Sequence, residues 1–193
     1  FVLAAVLLAG VGPTAALAVP EFKNGSFESK DIAGTKYVTL STGSTDLDDW
    51  VIGGAGVDLI GNLWEHADKN QSLDLSALDK GGVKQTVADF TAGSAYVLSF
   101  ALAGNPGGDG SDEKKLRVDV VGGTISGGAS QNFAFDTKST DTDEMGWVTK
   151  QLPFSANSES VTFTFSSQNS SNSGPALDNV RLEPVSGTIT DVP

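Results

Sequence analysis

Tyr96-Val97-Leu98-Ser99-Phe100-Ala101-Leu102 is the stretch on which the fold turns. Tyr96, Leu98, Phe100 and Leu102 fall on one side of an extended chain, with Val97, Ser99 and Ala101 on the other, because successive strand residues point to opposite faces. The same period of two recurs on either side of it. Leu116, Val118 and Val120 alternate with Arg117 and Asp119, Val161, Phe163 and Phe165 with Thr162 and Thr164, and Leu73 and Leu75 with Ser72 and Asp74. One-sided apolar alternation belongs to half-buried antiparallel strands, whereas parallel strands covered on both faces read as continuous apolar runs. Turn-forming clusters separate the strands: Lys80-Gly81-Gly82, Ala92-Gly93-Ser94, Asn105 through Gly110 and Asn169 through Pro175. No dozen-residue stretch keeps a helical period, and Asn62 to Lys69 is at most a short turn. Roughly ten short strands without helices predict an all-β, two-sheet antiparallel β-sandwich.

Composition fits that class. The chain has 193 residues, enough for one domain with tails, and carries 23 Gly but no Cys. A disulfide framework, a cysteine zinc site and a cysteine nucleophile are thereby excluded. Twelve Lys and Arg stand against 24 Asp and Glu, a net charge of -12. Nucleic acid is not an expected partner, since phosphate neutralisation needs a basic face. Neutral sugars or basic partners suit this charge better than acidic polysaccharides.

The ends read differently from the middle. Residues 1–18, Phe-Val-Leu-Ala-Ala-Val-Leu-Leu-Ala-Gly and onward, carry no charge and close on Ala16-Leu17-Ala18, the pattern of a partial signal peptide and its cleavage site. A transmembrane helix is the rival reading, against which Gly10, Gly12 and Pro13 interrupt the apolar run. Residues 185–193 have no periodicity and read as a C-terminal linker, of the kind that precedes a surface-sorting tail in some bacterial proteins. The domain between them is expected over residues 20–184.

Several short motifs occur in a fixed order: Asn24-Gly25-Ser26-Phe27-Glu28, Trp50, Gln71-Ser72-Leu73-Asp74-Leu75, Gly81-Gly82-Val83-Lys84-Gln85-Thr86-Val87, the Tyr96 strand running into Gly104-Asn105-Pro106, Trp147, Phe154, and Gly174-Pro175-Ala176-Leu177-Asp178-Asn179-Val180-Arg181-Leu182. This ordered set resembles the DUF642 family, called choice-of-anchor C proteins in bacteria. The resemblance implies a galactose-binding-like jelly roll, where alternation alone equally allows an immunoglobulin-like sandwich. It also implies a secreted or cell-surface location and a polysaccharide- or glycoconjugate-binding role, with attachment through a C-terminal tail. Fold does not fix activity, so the site residues are weighed one at a time.

Asp178 is the most informative of them. By period two it shares a face with Ala176, Val180 and Leu182, and a carboxylate among apolar neighbours needs hydrogen bonds, a counter-charge or a cation. Glu28, read as part of a first strand, is its expected companion. The pair, with backbone carbonyls, fits a structural calcium site, and related carbohydrate-binding modules hold calcium near such motifs. Hydrogen bonding of Asp178 and Asn179 to a loop backbone, without metal, is the other reading.

For ligand binding the candidates are Trp64, Trp147 and Asn105. Aromatic rings stack on the apolar face of a pyranose, and Trp64, set in polar Gly61-Asn62-Leu63-Trp64-Glu65-His66, is the preferred surface ring. Trp147 reads either as core or as a second platform. Asn105 opens a Gly-rich turn that forms a rim if the site lies there. His66, the single His, reads as a loop residue beside Glu65 and Asp68. No nucleophile elbow, zinc-protease helix or phosphate loop is present, and no pair of the 24 acids stands out as a glycosidase pair. The expected function is a non-catalytic carbohydrate-binding or surface-interaction module. A purely structural matrix protein and a glycan-active hydrolase are the alternatives.

Overall fold

A computed structural model describes residues 19–32, 34–107 and 111–185. The signal-type segment, Gly108 to Gly110 of the Asn105 turn, and all of the linker but Val185 lie outside the described residues. Twelve strands and no helix make up the described chain: β1 (Tyr37–Leu40), β2 (Val51–Gly54), β3 (Val57–Ile60), β4 (Ser72–Asp74), β5 (Gly81–Val87), β6 (Ala95–Gly104), β7 (Glu113–Val121), β8 (Gly123–Ile125), β9 (Ser130–Asp136), β10 (Val148–Ala156), β11 (Val161–Ser167) and β12 (Pro175–Pro184). They form a seven-stranded sheet, β1-β3-β4-β12-β6-β10-β8, stacked on a five-stranded sheet, β2-β5-β11-β7-β9. Every pairing is antiparallel. The two-sheet antiparallel sandwich expected from the alternation, in the jelly-roll form that the resemblance implied, is the fold of the molecule.

The period-two faces meet between the sheets. Leu98, Phe100 and Leu102 of β6 face Leu116, Val118 and Val120 of β7 and Val161, Phe163 and Phe165 of β11 in one apolar cluster. Trp50 closes one end of it, stacked on Phe22 with ring centroids 5.5 Å apart. Tyr96 is core as its alternation implied, and its hydroxyl accepts the Thr91 N–H at 3.0 Å.

Two side-chain amides stitch the N-terminal segment to this sandwich. Gln85 of β5 accepts from the Lys23 N–H and donates to the Lys23 carbonyl, at 2.8 and 2.9 Å. Gln71 does the same across two residues, accepting from Ile32 N–H and donating to Phe27 C=O. Each Gln thus supplies the donor and acceptor that a strand neighbour would otherwise provide.

Three local expectations change. Asn24 to Phe27 is a turn, with φ of 50° at Asn24 and 60° at Phe27, so Glu28 does not belong to a first strand. Gly81 and Gly82 belong to β5 rather than to a turn: a Cβ on Gly81 would lie 1.7 Å from the Gly56 carbonyl oxygen, so the absence of a side chain lets two backbones touch. In β12 the register slips between Asp178 and Arg181, at Asn179 with φ 49°. This bulge returns Val180 and Leu182 to the inner core, while Ala176 and Asp178 face outward.

That outer face is not bare. The segment from 61 to 71 folds over the seven-stranded sheet, and Trp64 and Met145 pack there on Ile60, Ala103 and Ala176 as a second apolar cluster. Ser72 and Asp74, expected on the solvent face of their strand, are covered as well.

Candidate functional site

The 61–71 segment is pinned at its C-terminal half by carboxylates. Asp178 Oδ2 accepts the N–H groups of Ala67 and Asp68 at 2.9 and 2.8 Å, and Oδ1 accepts that of Asn179 at 2.6 Å. Glu28 Oε1 accepts from Asn70 and Gln71 at 2.9 and 2.8 Å. The structure therefore brings both predicted metal ligands to one loop, but each faces amide donors. A hard cation needs converging oxygens, and N–H dipoles point their positive ends at the same space. Among the described residues no group of three or more His, Cys, Asp or Glu side chains is gathered to hold a metal. The residues present do not fit a calcium cage at Glu28 and Asp178, and the hydrogen-bonded reading of Asp178 matches the geometry. Burial pushes the Asp178 carboxyl up to about 7, opposed by its three amide donors.

Trp64 is a buried anchor. It is 5% exposed, and its indole N–H donates to Ser72 Oγ at 2.9 Å. His66 continues the chain: Nε2 faces the Gly61 carbonyl and Nδ1 lies 3.0 Å from Ser72 Oγ. A carbonyl only accepts, so the proton sits on Nε2, and the Ser72 hydroxyl, accepting from Trp64, donates to Nδ1. Burial lowers the His66 pKa, against the raising effects of the Gly61 bond and the Glu28 and Glu65 charges, which suits this neutral tautomer. The expectation of Trp64 as a surface stacking ring is thus corrected; polar neighbours in sequence hide a ring that turns inward.

Of the three tryptophans, Trp147 is the one left half-exposed, packed along one edge against the outer cluster. Its indole N–H donates to the Glu65 carbonyl at 2.9 Å, and Glu65 Oε2 accepts the Met145 N–H, which holds the ring against the strap formed by residues 61–71. It forms one wall of a groove of about 620 Å³ on the outer sheet face, whose floor and rim include Ala101 of β6, Thr149 of β10, Asn179 at the β12 bulge, and Thr140 and Glu144. Ala101 matters here, because a larger side chain would fill the floor. On the other side of Glu65 and His66 lies a groove of about 800 Å³, bordered by Glu28, Asn62, Leu63, Asn70 and Thr142. Both volumes fall in the range of small-ligand sites.

Asn105 lies elsewhere, bound up in the fold. Its Nδ2 donates to Asp74 Oδ2 at 2.8 Å and its Oδ1 accepts the Gly107 N–H. Asp74 also accepts from Ser76 and Gly174, and burial pushes its carboxyl up to about 7. Nearby, Lys114 is 3% exposed and donates to the Ser173 carbonyl and hydroxyl, both at 3.1 Å; burial lowers its pKa. This network closes one end of the sandwich, and both polar atoms of the Asn105 side chain are spent on it. Glu144 and Thr149 were not singled out in the sequence, and Asn179 was read only as a partner of Asp178 in hydrogen bonding, not as groove lining. The small residues Ala101 and Ala103 on the outward side of β6 were the available sign that something sits on that face.

Two antiparallel sheets over one core make this molecule a jelly-roll sandwich, with loops forming grooves on an outer face. The chain belongs to the family described as Protein of unknown function (DUF642), whose profile matches residues 20–183. It is 31% identical over 185 residues to halomucin of Haloquadratum walsbyi, a match that takes in 92% of this chain and 2% of halomucin. Among solved structures, the fold is similar to TmCBM61 in complex with β-1,4-galactotriose, with a TM-score of 0.57 at 14% identity over 86% of this chain and 99% of that one. It is also similar to part of the arabinose-bound α-L-arabinofuranosidase MgGH51, with a TM-score of 0.52 at 13% identity over 87% of this chain and 27% of that one. At such identities the likeness is one of fold.

Proposed function

We propose that the protein is a non-catalytic carbohydrate-binding module that acts outside the cytoplasm and takes a neutral glycan against Trp147. The observation that carries this reading is the half-exposed indole held by Glu65 in a groove with polar walls. An aromatic face meets the C–H side of a pyranose, and hydroxyl, amide and carboxylate groups around it meet the sugar hydroxyls. The likeness in fold to TmCBM61 supports the ligand class. The uncharged segment before Glu21 and the similarity to halomucin support an exported protein.

Against hydrolysis stands the use of the groove's own titratable groups. His66 has both ring nitrogens engaged and Glu65 accepts a backbone amide, so both serve the loop, which leaves Glu144 as a single carboxylate where glycoside hydrolysis uses a pair. Acidic glycans are poor candidates, because Glu65 and Glu144 border the groove of a protein with net charge -12.

Affinity electrophoresis through gels containing galactan, arabinan, xylan or mannan tests the proposal. Retardation in at least one neutral polysaccharide, abolished in Trp147→Ala with an unchanged circular dichroism spectrum, is the expected result. No retardation in any of them, or full retention of binding by Trp147→Ala, overturns it.

A further inference from the structure

The geometry points to a second glycan subsite in the groove across Glu65 and His66 from Trp147, so that the protein grips an internal run of a linear neutral polysaccharide rather than a chain end. This inference rests on the Trp147 reading and extends it. The two grooves share Glu65 and His66 as common lining, so the larger begins where the Trp147 groove stops. A chain-end binder has bare surface beyond its terminal subsite; here a second concave surface begins on the far side of Glu65 and His66, within reach of a chain that crosses them.

The second groove repeats the chemistry of the first in another form. Leu63 and the edge of Trp64 give it an apolar wall, backed by the outer cluster on Ile60, Ala103 and Ala176. Asn62, Asn70 and Thr142 are exposed along its rim and offer both donors and acceptors to sugar hydroxyls. The wall is also stiff. Trp64 is tied to Ser72, and the Asn70 and Gln71 amides are held by Glu28, so little loop ordering is left to oppose binding. Glu28 and Asp143 on its border disfavour uronic-acid chains here as well.

Titration with oligosaccharides of a polysaccharide that the protein binds, from two to eight sugars long, tests the inference. Affinity is expected to rise about tenfold or more with length. The double variant Asn62→Ala/Asn70→Ala should keep the affinity for the shortest ligand and lose most of that rise, since both side chains are exposed and the Asn70 contact to Glu28 runs through the backbone. A length-independent affinity, or a double variant that keeps the whole rise, overturns the second subsite while leaving the Trp147 site standing. Failure of the wild-type protein to bind any neutral polysaccharide overturns both.

Discussion

Asp178 Oδ2 accepts the backbone N–H of Asp68 at 2.8 Å, a bond between residues 110 apart in sequence that ties the last strand to the loop carrying the site. The same carboxylate takes the amides of Ala67 and Asn179, and Asp178 is fully buried. Asp178→Ala leaves three part-buried amides without their acceptor, and an unsatisfied donor costs about 1–3 kcal/mol where water cannot reach it and less where it can. The expected loss of stability is about 2 kcal/mol, read from urea unfolding. Hydrogen exchange at Ala67 and Asp68 should speed up more than at the β6 amides. Equal acceleration throughout would show that the carboxylate supports the sandwich in general and not the loop.

Asp178 and Asp74 also set a pH dependence of unusual sign. Both are pushed up to about 7 by burial, from an ordinary value of 3.8. A carboxyl whose folded pKa is raised binds protons more tightly in the folded state, so its stabilising contribution is complete below about pH 4 and disappears as pH climbs through 7. Within that window each such group contributes a slope of about 1.4 kcal/mol per pH unit. Thermal unfolding between pH 4 and 8 should therefore show falling stability, and Asp74→Asn or Asp178→Asn should flatten the fall. Stability that rises across this window in the wild type would contradict the assignment.

Chelation bears on the same carboxylates. Because Glu28 and Asp178 present their oxygens to amide N–H groups, treatment with EDTA is expected to leave the melting temperature of the purified protein unchanged. A drop of several degrees, restored by calcium, would mean that these oxygens turn toward a cation and that the amide contacts are replaced.

The strands were legible in the sequence where the two faces of a sheet differ. Leu116-Arg117-Val118 and Phe163-Thr164-Phe165 separate inward from outward residues one by one, and the structure follows them, whereas Ser99, between Leu98 and Phe100, is fully buried on the covered outer face. Legibility ended where backbone geometry departs from plain extension. The bulge at Asn179 inverts the facing of Val180 and Leu182, and nothing in Ala176-Leu177-Asp178-Asn179-Val180 marks the extra residue except an Asn able to take a positive φ. Trp64 and Trp147 exchange their expected exposure for a related reason. Burial of Trp64 requires the strap to fold across Ile60, Ala103 and Ala176, which belong to three different strands, and local composition carries no trace of such a contact.

That exchange gives a paired prediction. Trp64→Ala removes a ring from a closed cluster together with the hydrogen bond to Ser72, and should cost about 3–5 kcal/mol, the usual range for deleting a buried aromatic. Trp147→Ala removes a half-exposed ring and should cost about 1 kcal/mol while abolishing glycan retention. Urea unfolding of both variants beside the binding assay separates the roles. A Trp147→Ala protein as unstable as Trp64→Ala would identify Trp147 as packing.

Salt should stabilise the folded protein. Several ion pairs join residues two apart: Glu21 with Lys23, Glu113 with Lys115, Arg117 with Asp119, Asp136 with Lys138, and Arg181 with Glu183. Pairs this exposed and this local contribute little, and much of what they contribute survives in the unfolded chain. The remaining excess of acids, 24 against 12 bases, repels itself more strongly in the compact state than in an expanded one. Raising NaCl from about 0.05 M to about 1 M shortens the screening length from more than 10 Å to about 3 Å and removes most of that repulsion. Differential scanning calorimetry across this range is expected to show a melting temperature higher by several degrees. If it falls instead, the surface ion pairs outweigh the net charge, and the acidic surface is not a source of strain in the fold.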